Sequence, residues 1–197
     1  MGFKVKDHYF KKAKKEQFFA RSIYKLEEID KKYSVLNKGD IVLDLGYFPG
    51  SWAQYTSKVV GKSGLVVGSD IQPINEKLLK LDNIKLFEKD VFNIDGPEDL
   101  ELDKAFDCVL SDMAPKTTGI KDVDQARSLD LVEKTFSLLP KVLKVGGNFV
   151  IKVFDGHDAQ VYLKSQKDRF GQFKYLKPKS TRSVSKEFFV IGKDFVG

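Results

Sequence analysis

The sequence predicts an α/β protein whose mostly parallel sheet is covered by helices on both faces. Short apolar runs alternate with longer amphipathic segments, a glycine turn follows the first apolar run, and the last two runs lie close together. Strands that alternate with helices form parallel sheets, because each helix carries the chain back along one face. The last two strands are too close for a helical crossover, so we expect an antiparallel hairpin there.

Each predicted element rests on its own apolar pattern. Residues 16–33 are typical of an amphipathic helix, because one stripe at helical spacing contains Phe19, Ile23, Leu26, Ile29 and Tyr33. Apolar runs bounded by turn residues predict strands at 41–45, 65–69, 84–87, 106–111, 147–154, 173–177 and 187–192. Helices are expected between them, most clearly at 51–60, 124–143 and 158–168. Glycines at 61–64 and 146–147 separate neighbouring elements.

A strand, a tight turn and a helix start follow one another in residues 41–52. Gly46 and Gly50 have no Cβ atom, so a ligand can approach the backbone of this turn. Asp44 places a negative charge where a phosphate-binding loop would avoid one, and this favours a ligand with a cationic end. The amino group and sulfonium of S-adenosylmethionine fit that description. The alternative is a turn that needs glycine only for its backbone conformation.

Composition indicates one domain without disulfides or structural metals. The 197 residues suffice for one domain with a sizeable core. We assign this domain to residues 16–197 and a basic extension to residues 1–15. Cys108 is the only cysteine and lies in an apolar run, so we expect it to be buried and unreactive. His8 and His157 are the only histidines, too few for a zinc site. No apolar run reaches ~18 residues and no secretory signal is recognisable, which favours a cytoplasmic protein. No feature of the sequence asks for more than a monomer.

Positive charge is concentrated at the two ends of the chain. The net charge is +6, although the middle of the sequence is acidic or balanced. Two basic ends indicate a nucleic-acid footprint if the fold brings them together. The candidate RNA-binding residues are Lys11, Lys12, Lys14, Lys15, Arg21, Lys179 and Arg182. A solvated basic surface is the alternative explanation.

Acidic residues stand at the ends of four successive predicted strands, at Asp44, Asp70, Asp90 and Asp112. In such sheets ligands bind beyond the carboxyl ends of the strands. Asp70 has the position usual for an acid that accepts hydrogen bonds from ribose hydroxyls, and Asp90 is placed to contact an adenine amino group. Each acid alone is also explained as a turn or cap residue. Four in succession favour a ligand site.

Lys152 is a charged residue inside an apolar strand at 150–154. Such a lysine must pair with an acid, extend its amine to water or lose its proton. In one interpretation its stem lies along the core and its amine reaches solvent. In the functional interpretation the amine lies at the carboxyl edge of the sheet, beside Asp112.

Five segments resemble the FtsJ-like (RrmJ-type) RNA 2′-O-methyltransferases in that family's order and spacing, at residues 20–26, 44–52, 111–115, 150–154 and 185–188. The resemblance implies a Rossmann-like methyltransferase fold and a Lys-Asp-Lys-Glu catalytic tetrad at Lys25, Asp112, Lys152 and Glu187. It also implies S-adenosylmethionine binding through Gly50, Trp52, Asp70, Asp90 and Asp112. Among family members, this short form is most similar to enzymes that methylate a uridine ribose of large-subunit ribosomal RNA.

The resemblance leaves three points open. Tyr47, Phe48 and Ser51 replace the small residues commonest in the family's cofactor loop, and their bulk either narrows the pocket or packs outward. The RNA substrate is either naked or part of a ribosomal particle. Rival functions are a tRNA or mRNA-cap ribose methyltransferase and a non-catalytic ribosome-assembly factor, although an intact tetrad argues against the latter.

Overall fold

The computed structural model describes residues 8–197. Its strands are β1 (Ile41–Leu45), β2 (Leu65–Asp70), β3 (Ile84–Glu88), β4 (Phe106–Ser111), β5 (Leu143–Phe154), β6 (Phe170–Leu176) and β7 (Glu187–Phe195). Its α-helices are α1 (His8–Lys15), α2 (Ile23–Tyr33), α3 (Ser51–Val60), α4 (Lys121–Val142) and α5 (His157–Ser165). The strands form one sheet in the order β3-β2-β1-β4-β5-β7-β6. The predicted α/β class and seven-stranded sheet are confirmed.

The parallel part of the sheet runs from β3 to β5, with β1 between β2 and β4. β7 is antiparallel to both β5 and β6, which confirms the predicted C-terminal hairpin. The last strand therefore inserts between β5 and β6. Its first residue, Glu187, pairs with Phe154 at the end of β5. This pairing brings the start of β7 to the edge at which the parallel strands end.

Apolar cores cover both faces of the sheet. On one face Phe136 of α4 contacts Phe149 and Phe170, at ring-centroid distances of 4.9 and 6.4 Å. On the other face Trp52 of α3 packs against Phe189 of β7 at 5.7 Å. Burying a side chain of this kind contributes about 1.5–3 kcal/mol. The two cores hold the strand ends, and the side chains on them, in fixed positions.

The predicted helix at 16–33 is wrong in its first part, because α2 begins only at Ile23. The intervening turn has Gln17 at a φ of +59°, which no helix accommodates. Gln54 of α3 holds this turn, since its side chain accepts a hydrogen bond from the amide of Phe19 (3.0 Å) and donates to the carbonyl of Gln17 (3.2 Å). Of the expected extension at 1–15, residues 8–15 form α1, and residues 1–7 lie outside the described part.

Other boundaries shift by a few residues. β5 begins at Leu143 instead of 147, since a register irregularity opposite Phe106 and Cys108 lets the strand continue through the glycine pair. Cys108 is buried as predicted, and burial raises the pKa of its thiol well above the usual value. In the described part of the chain, no helix has the length and apolarity needed to cross a membrane.

Candidate active site

Lys152 and Asp112 form an ion pair at the carboxyl edge of the sheet. Lys152 Nζ lies 3.0 Å from Asp112 Oδ1 and donates a hydrogen bond to the main-chain carbonyl of Asp112 at 2.6 Å. The two side chains are 8% and 17% exposed. Asp112 immediately follows β4 and Lys152 lies in β5, so the pairing of these strands sets the contact. The amine therefore stays within the site and does not extend to bulk water.

A second ion pair joins Lys25 of α2 to Glu187 of β7. Lys25 Nζ lies 2.5 Å from Glu187 Oε1, and both side chains are 13% exposed. Phe189 links the two pairs, because it lies opposite Lys152 in the strand register and its ring centroid is 5.6 Å from Lys25 Nζ. Glu187 and Phe189 share one face of β7, because side chains two residues apart in a strand point the same way. The structure thus gathers all four predicted tetrad residues at one edge.

The loop between β1 and α3 requires glycine at two positions. Gly46 and Gly50 have φ values of +73° and +113°, a region that other residues rarely adopt. A Cβ on Gly46 would overlap the side chain of Met113, and one on Gly50 would overlap Leu78. The loop backbone consequently lies close to the segment that follows β4. Together they form one wall of a cavity of about 530 Å³.

Asp44 lies beneath this loop as a fully buried carboxyl. Neither of its oxygens has a hydrogen-bond partner among the described residues. Burial, and then the charges of Asp112 and Asp70, raise the pKa of Asp44 well above its usual value. An unpartnered buried carboxyl is costly, and a nearby cationic group from a ligand would lower that cost. The carboxyl of Asp44 therefore suits a ligand that carries an amine.

Asp70 and Asp90 both line the cavity. The carboxylate of Asp70 accepts hydrogen bonds from the amides of Phe48 (3.0 Å) and Gln72 (2.9 Å), and Asp90 accepts one from Phe92 (3.0 Å). These bonds fix both carboxylates, whose remaining lone pairs can still accept from a ligand. Apolar side chains complete the lining, among them Phe48, Ile71, Phe92, Met113 and Leu131. A cavity with apolar walls and a few fixed acceptors suits a nucleoside.

The sequence model of the FtsJ-like methyltransferase family matches residues 18–195. The chain belongs to the FtsJ-like methyltransferase family. It is 44% identical over 197 residues to "Ribosomal RNA large subunit methyltransferase E" of Bdellovibrio bacteriovorus, with 98% of each chain covered. It is 45% identical over 196 residues to the protein of the same name from Oleidesulfovibrio alaskensis, with 98% of this chain and 94% of that one covered.

Solved structures agree with this assignment. A ribosomal RNA methyltransferase from Plasmodium falciparum superposes with a TM-score of 0.76 at 28% identity, covering 91% of this chain and all of that one. Fibrillarin from Aeropyrum pernix, crystallised with S-adenosyl-L-methionine, superposes with a TM-score of 0.59 at 17% identity, over 80% of this chain and 68% of that one. The second likeness concerns the fold alone. The Rossmann-like methyltransferase fold implied by the sequence is confirmed.

The bulky loop residues of this FtsJ-like methyltransferase take different directions. Tyr47 is buried against Gly68, and Ser51 is buried with its Oγ 2.8 Å from the Oγ of Ser22. Phe48 is instead partly exposed and lines the cavity. The indole of Trp52 also points into the core, where its Nε1 donates to the carbonyl of Ser22 at 2.9 Å. Neither Trp52 nor Gly50, both predicted as cofactor contacts, is among the residues that line the cavity.

The sequence analysis did not identify two aromatic residues at the site. Phe92 lines the cavity, and Phe189 lies opposite Lys152 in the strand register with its ring near Lys25 Nζ. Phe92 lies two residues after Asp90 in the sequence, and this short distance from a candidate ligand contact could have indicated that Phe92 lies at the site. Phe189 gave no signal of its own, because it lies within an apolar run that resembles any buried strand.

The two basic ends of the chain meet beside the tetrad. The guanidinium of Arg21 donates to the carbonyl of Ser180, and the amide of Lys179 donates to Glu28 at 2.9 Å. Burial, and then the charge of Arg182, lower the pKa of Arg21, so Arg21 and Arg182 lie near each other. The sequence predicted a nucleic-acid footprint on the condition that the fold brings the two basic ends together, and at this surface the two ends are in contact.

The lysines of α1 differ in their surroundings. Lys11, Lys14 and Lys15 are exposed. Lys12 is partly covered, with its Nζ 4.3 Å from the ring centroid of Tyr24 and 3.9 Å from Glu16. Ala13 of the same helix is buried against the core around Ile23. α1 therefore presents an exposed row of ammonium groups from a packed position.

Proposed function

We propose that the chain is an S-adenosylmethionine-dependent RNA ribose 2′-O-methyltransferase that acts on a uridine in large-subunit ribosomal RNA. The observation that carries this proposal is the pair of ion pairs, Lys152–Asp112 and Lys25–Glu187, at the edge of a nucleoside-sized cavity. Asp112 connects the ion pairs to the cavity, because its carboxylate pairs with Lys152 and the residue also lines the cavity. In this proposal the substrate hydroxyl lies directly beside the bound methyl donor.

The cofactor site divides into three parts in this proposal. Asp44 neutralises the amino group of the cofactor, Asp70 accepts from its ribose hydroxyls, and Asp90 accepts from the adenine amine. Gly46 lines the cavity, and the left-handed conformations of Gly46 and Gly50 let the loop backbone pack against Met113 and Leu78 beside it. When bound, S-adenosylmethionine supplies an electrophilic methyl group on a sulfonium centre.

Lys152 has the central role toward the substrate. A ribose hydroxyl is a very weak acid, so a basic group must receive its proton as the new C–O bond forms. Lys152 Nζ donates to the carbonyl of Asp112 and faces Asp112 Oδ1, which leaves one further position for the hydroxyl. Either the neutral amine form of Lys152 takes up the proton, or its ammonium form orients the hydroxyl while water carries the proton. Positioning of the two reacting groups contributes roughly 7–11 kcal/mol to lowering the barrier.

Lys25 and Glu187 position the sugar. Their ion pair is largely buried and lies across Phe189 from Lys152. The names of the relatives and the basic surface around Arg21 and Lys179 support ribosomal RNA as the substrate. Nothing in the site requires a second protomer, so we propose a monomer.

Methylation with labelled cofactor tests the proposal. The protein is incubated with S-adenosylmethionine labelled in its methyl group and with unmodified large-subunit ribosomal RNA, either naked or in ribosomal particles. Alkaline digestion should leave labelled dinucleotides, because a methylated 2′ oxygen cannot attack the neighbouring phosphate. Labelled mononucleotides alone would indicate base methylation, and RNA binding without label would indicate an assembly factor.

Lys152→Ala should lower turnover by 10²–10⁴-fold, the usual contribution of a positioned acid–base group. Its affinity for S-adenosylmethionine, measured by calorimetry, should stay within a few-fold of the wild type, because Lys152 does not line the cofactor cavity. Lys174→Ala is a matched control, since Lys174 is exposed on β6. Turnover by Lys152→Ala near the wild-type rate would remove Lys152 from the mechanism.

A further inference from the structure

A second cavity, of about 760 Å³, lies on the opposite side of α4 from the cofactor cavity. Gln125 and Leu129 of α4 line this second cavity, whereas Arg127 and Leu131 line the first. The loop between β5 and α5 forms the facing wall, and Glu187 of the tetrad also lines the cavity. The cofactor residues proposed above do not use this space.

The position of Glu187 ties the cavity to the substrate. Glu187 is part of the cavity lining, and its carboxylate forms the ion pair with Lys25. The cavity therefore opens beside the place where the target ribose must lie. When an RNA strand places one ribose next to Lys152, the adjacent nucleotide of that strand lies within reach of this opening.

The lining combines aromatic and polar groups in the way a nucleobase requires. Phe154 and Phe188 contribute partly exposed aromatic side chains, and Leu129 adds an aliphatic one. Gln160 donates from Nε2 to Asp155 Oδ1 at 3.0 Å, and Gln125 donates to the carbonyl of Asp155. These bonds fix both amides, and their Oε1 atoms accept no hydrogen bond from residues 8–197. Two fixed acceptors beside aromatic faces can read the edge of a stacked base.

Charged groups of both signs line the cavity. Lys121, Lys177 and Lys186 are exposed there, and Lys177 Nζ already donates to the carbonyl of Ser185 at 2.7 Å. Four acids also line the cavity, namely Asp122, Asp155, Asp158 and Glu187. The lysine ammonium groups are the groups that can contact the phosphate of a nucleotide whose base lies inside.

We propose that this cavity binds the base of the unpaired nucleotide next to the one that is methylated. The inference rests on the proposed function, because it assigns a part of that RNA substrate. Only a splayed, single-stranded base can enter, since the edges and faces of a paired base are occupied. The cavity would select RNA in which the target lies in a loop.

Filling the cavity tests this assignment. Ala126 lies on the exposed side of α4 and lines the cavity, so Ala126→Trp inserts a large ring without disturbing the core. Ser137→Trp is the matched control, because Ser137 is exposed on the same helix three turns away. The assay uses an unmodified in vitro transcript of large-subunit ribosomal RNA and labelled S-adenosylmethionine.

We expect Ala126→Trp to raise the KM for RNA by about tenfold, because stacking one base typically contributes a factor of 5–150. Its kcat at saturating RNA and its affinity for S-adenosylmethionine should equal those of Ser137→Trp. A KM equal to that of the control overturns the proposal. Impaired methylation of ribosomal particles together with normal methylation of the naked transcript also overturns it, since the cavity would then hold a ribosomal protein.

Crosslinking supplies a second readout that does not depend on turnover. A transcript containing 4-thiouridine is irradiated with the wild-type protein, and the crosslinked peptides are identified by mass spectrometry. Adducts in residues 121–129 or 154–160 support the assignment. Adducts only elsewhere on the protein overturn it. If the wild type forms these crosslinks but transfers no methyl group to RNA, the proposed function fails, and the cavity is then an RNA-binding site without the assigned neighbour of a methylated nucleotide.

Discussion

Asp44→Asn should make the ligand-free protein more stable at neutral pH. The wild-type carboxyl is fully buried and lacks a partner in the described structure, and its pKa is raised chiefly by burial. In the unfolded chain an aspartate titrates near pH 3.9. Above that pH the unfolded state releases a proton that the folded state retains. Wild-type stability therefore falls as pH rises from about 4 toward the folded pKa of Asp44.

The size of the effect follows from proton linkage. Each pH unit within that window costs the wild type about 1.4 kcal/mol, and the asparagine variant does not experience this cost. Over each pH unit of that window the variant should therefore gain about 1.4 kcal/mol relative to the wild type. For a chain of this size, that corresponds to roughly 3–6 °C in Tm for each pH unit.

The assay is thermal and urea unfolding of both proteins at several pH values, without S-adenosylmethionine. Asp103→Asn is the control, because Asp103 is exposed and its replacement should leave a constant difference. Calorimetry should also show that Asp44→Asn weakens S-adenosylmethionine binding by at least tenfold, because a neutral amide cannot balance the cofactor's amine. A stability difference that stays the same at every pH would refute the reasoning about the buried charge.

Three further expectations follow from the site and its surroundings. Lys25→Met and Glu187→Gln should each lower kcat by about 10²-fold or more while S-adenosylmethionine binding is retained; unchanged kcat in both would place this pair outside the reaction. Gly46→Ala should destabilise the fold by about 1–3 kcal/mol in urea unfolding, through its φ of +73° and the overlap with Met113, and a fully stable variant would contradict the loop geometry. Lys11, Lys12, Lys14 and Lys15 of α1 are replaced together by alanine. The slope of log Kobs against log salt for RNA binding should then decrease by about 0.7 for each phosphate that the protein no longer neutralises. An unchanged slope would show that α1 is not part of the RNA-binding surface.

Local sequence patterns were reliable where one element determines its own conformation. α3 begins and ends at the predicted residues 51 and 60, because a glycine precedes it and another follows. β1 and β4 also match their predicted bounds, since both are short apolar runs between turn residues. The turn at 16–22 was missed because two of the hydrogen bonds that hold it come from the side chain of Gln54, a residue of another helix. No periodicity within the segment reports that contact.

The order of residues along the chain was sufficient to determine the α/β class, the glycine loop and the row of acids at strand ends, because these follow from short-range spacing and from strand polarity. Folding in three dimensions decided which charges meet. Lys25 contacts Glu187 only because β7 inserts between β5 and β6. Asp44 becomes a buried carboxyl without a partner among residues 8–197 only because the sheet and loop close over it. Both outcomes depend on desolvation and on contacts between distant segments, which a linear pattern does not contain.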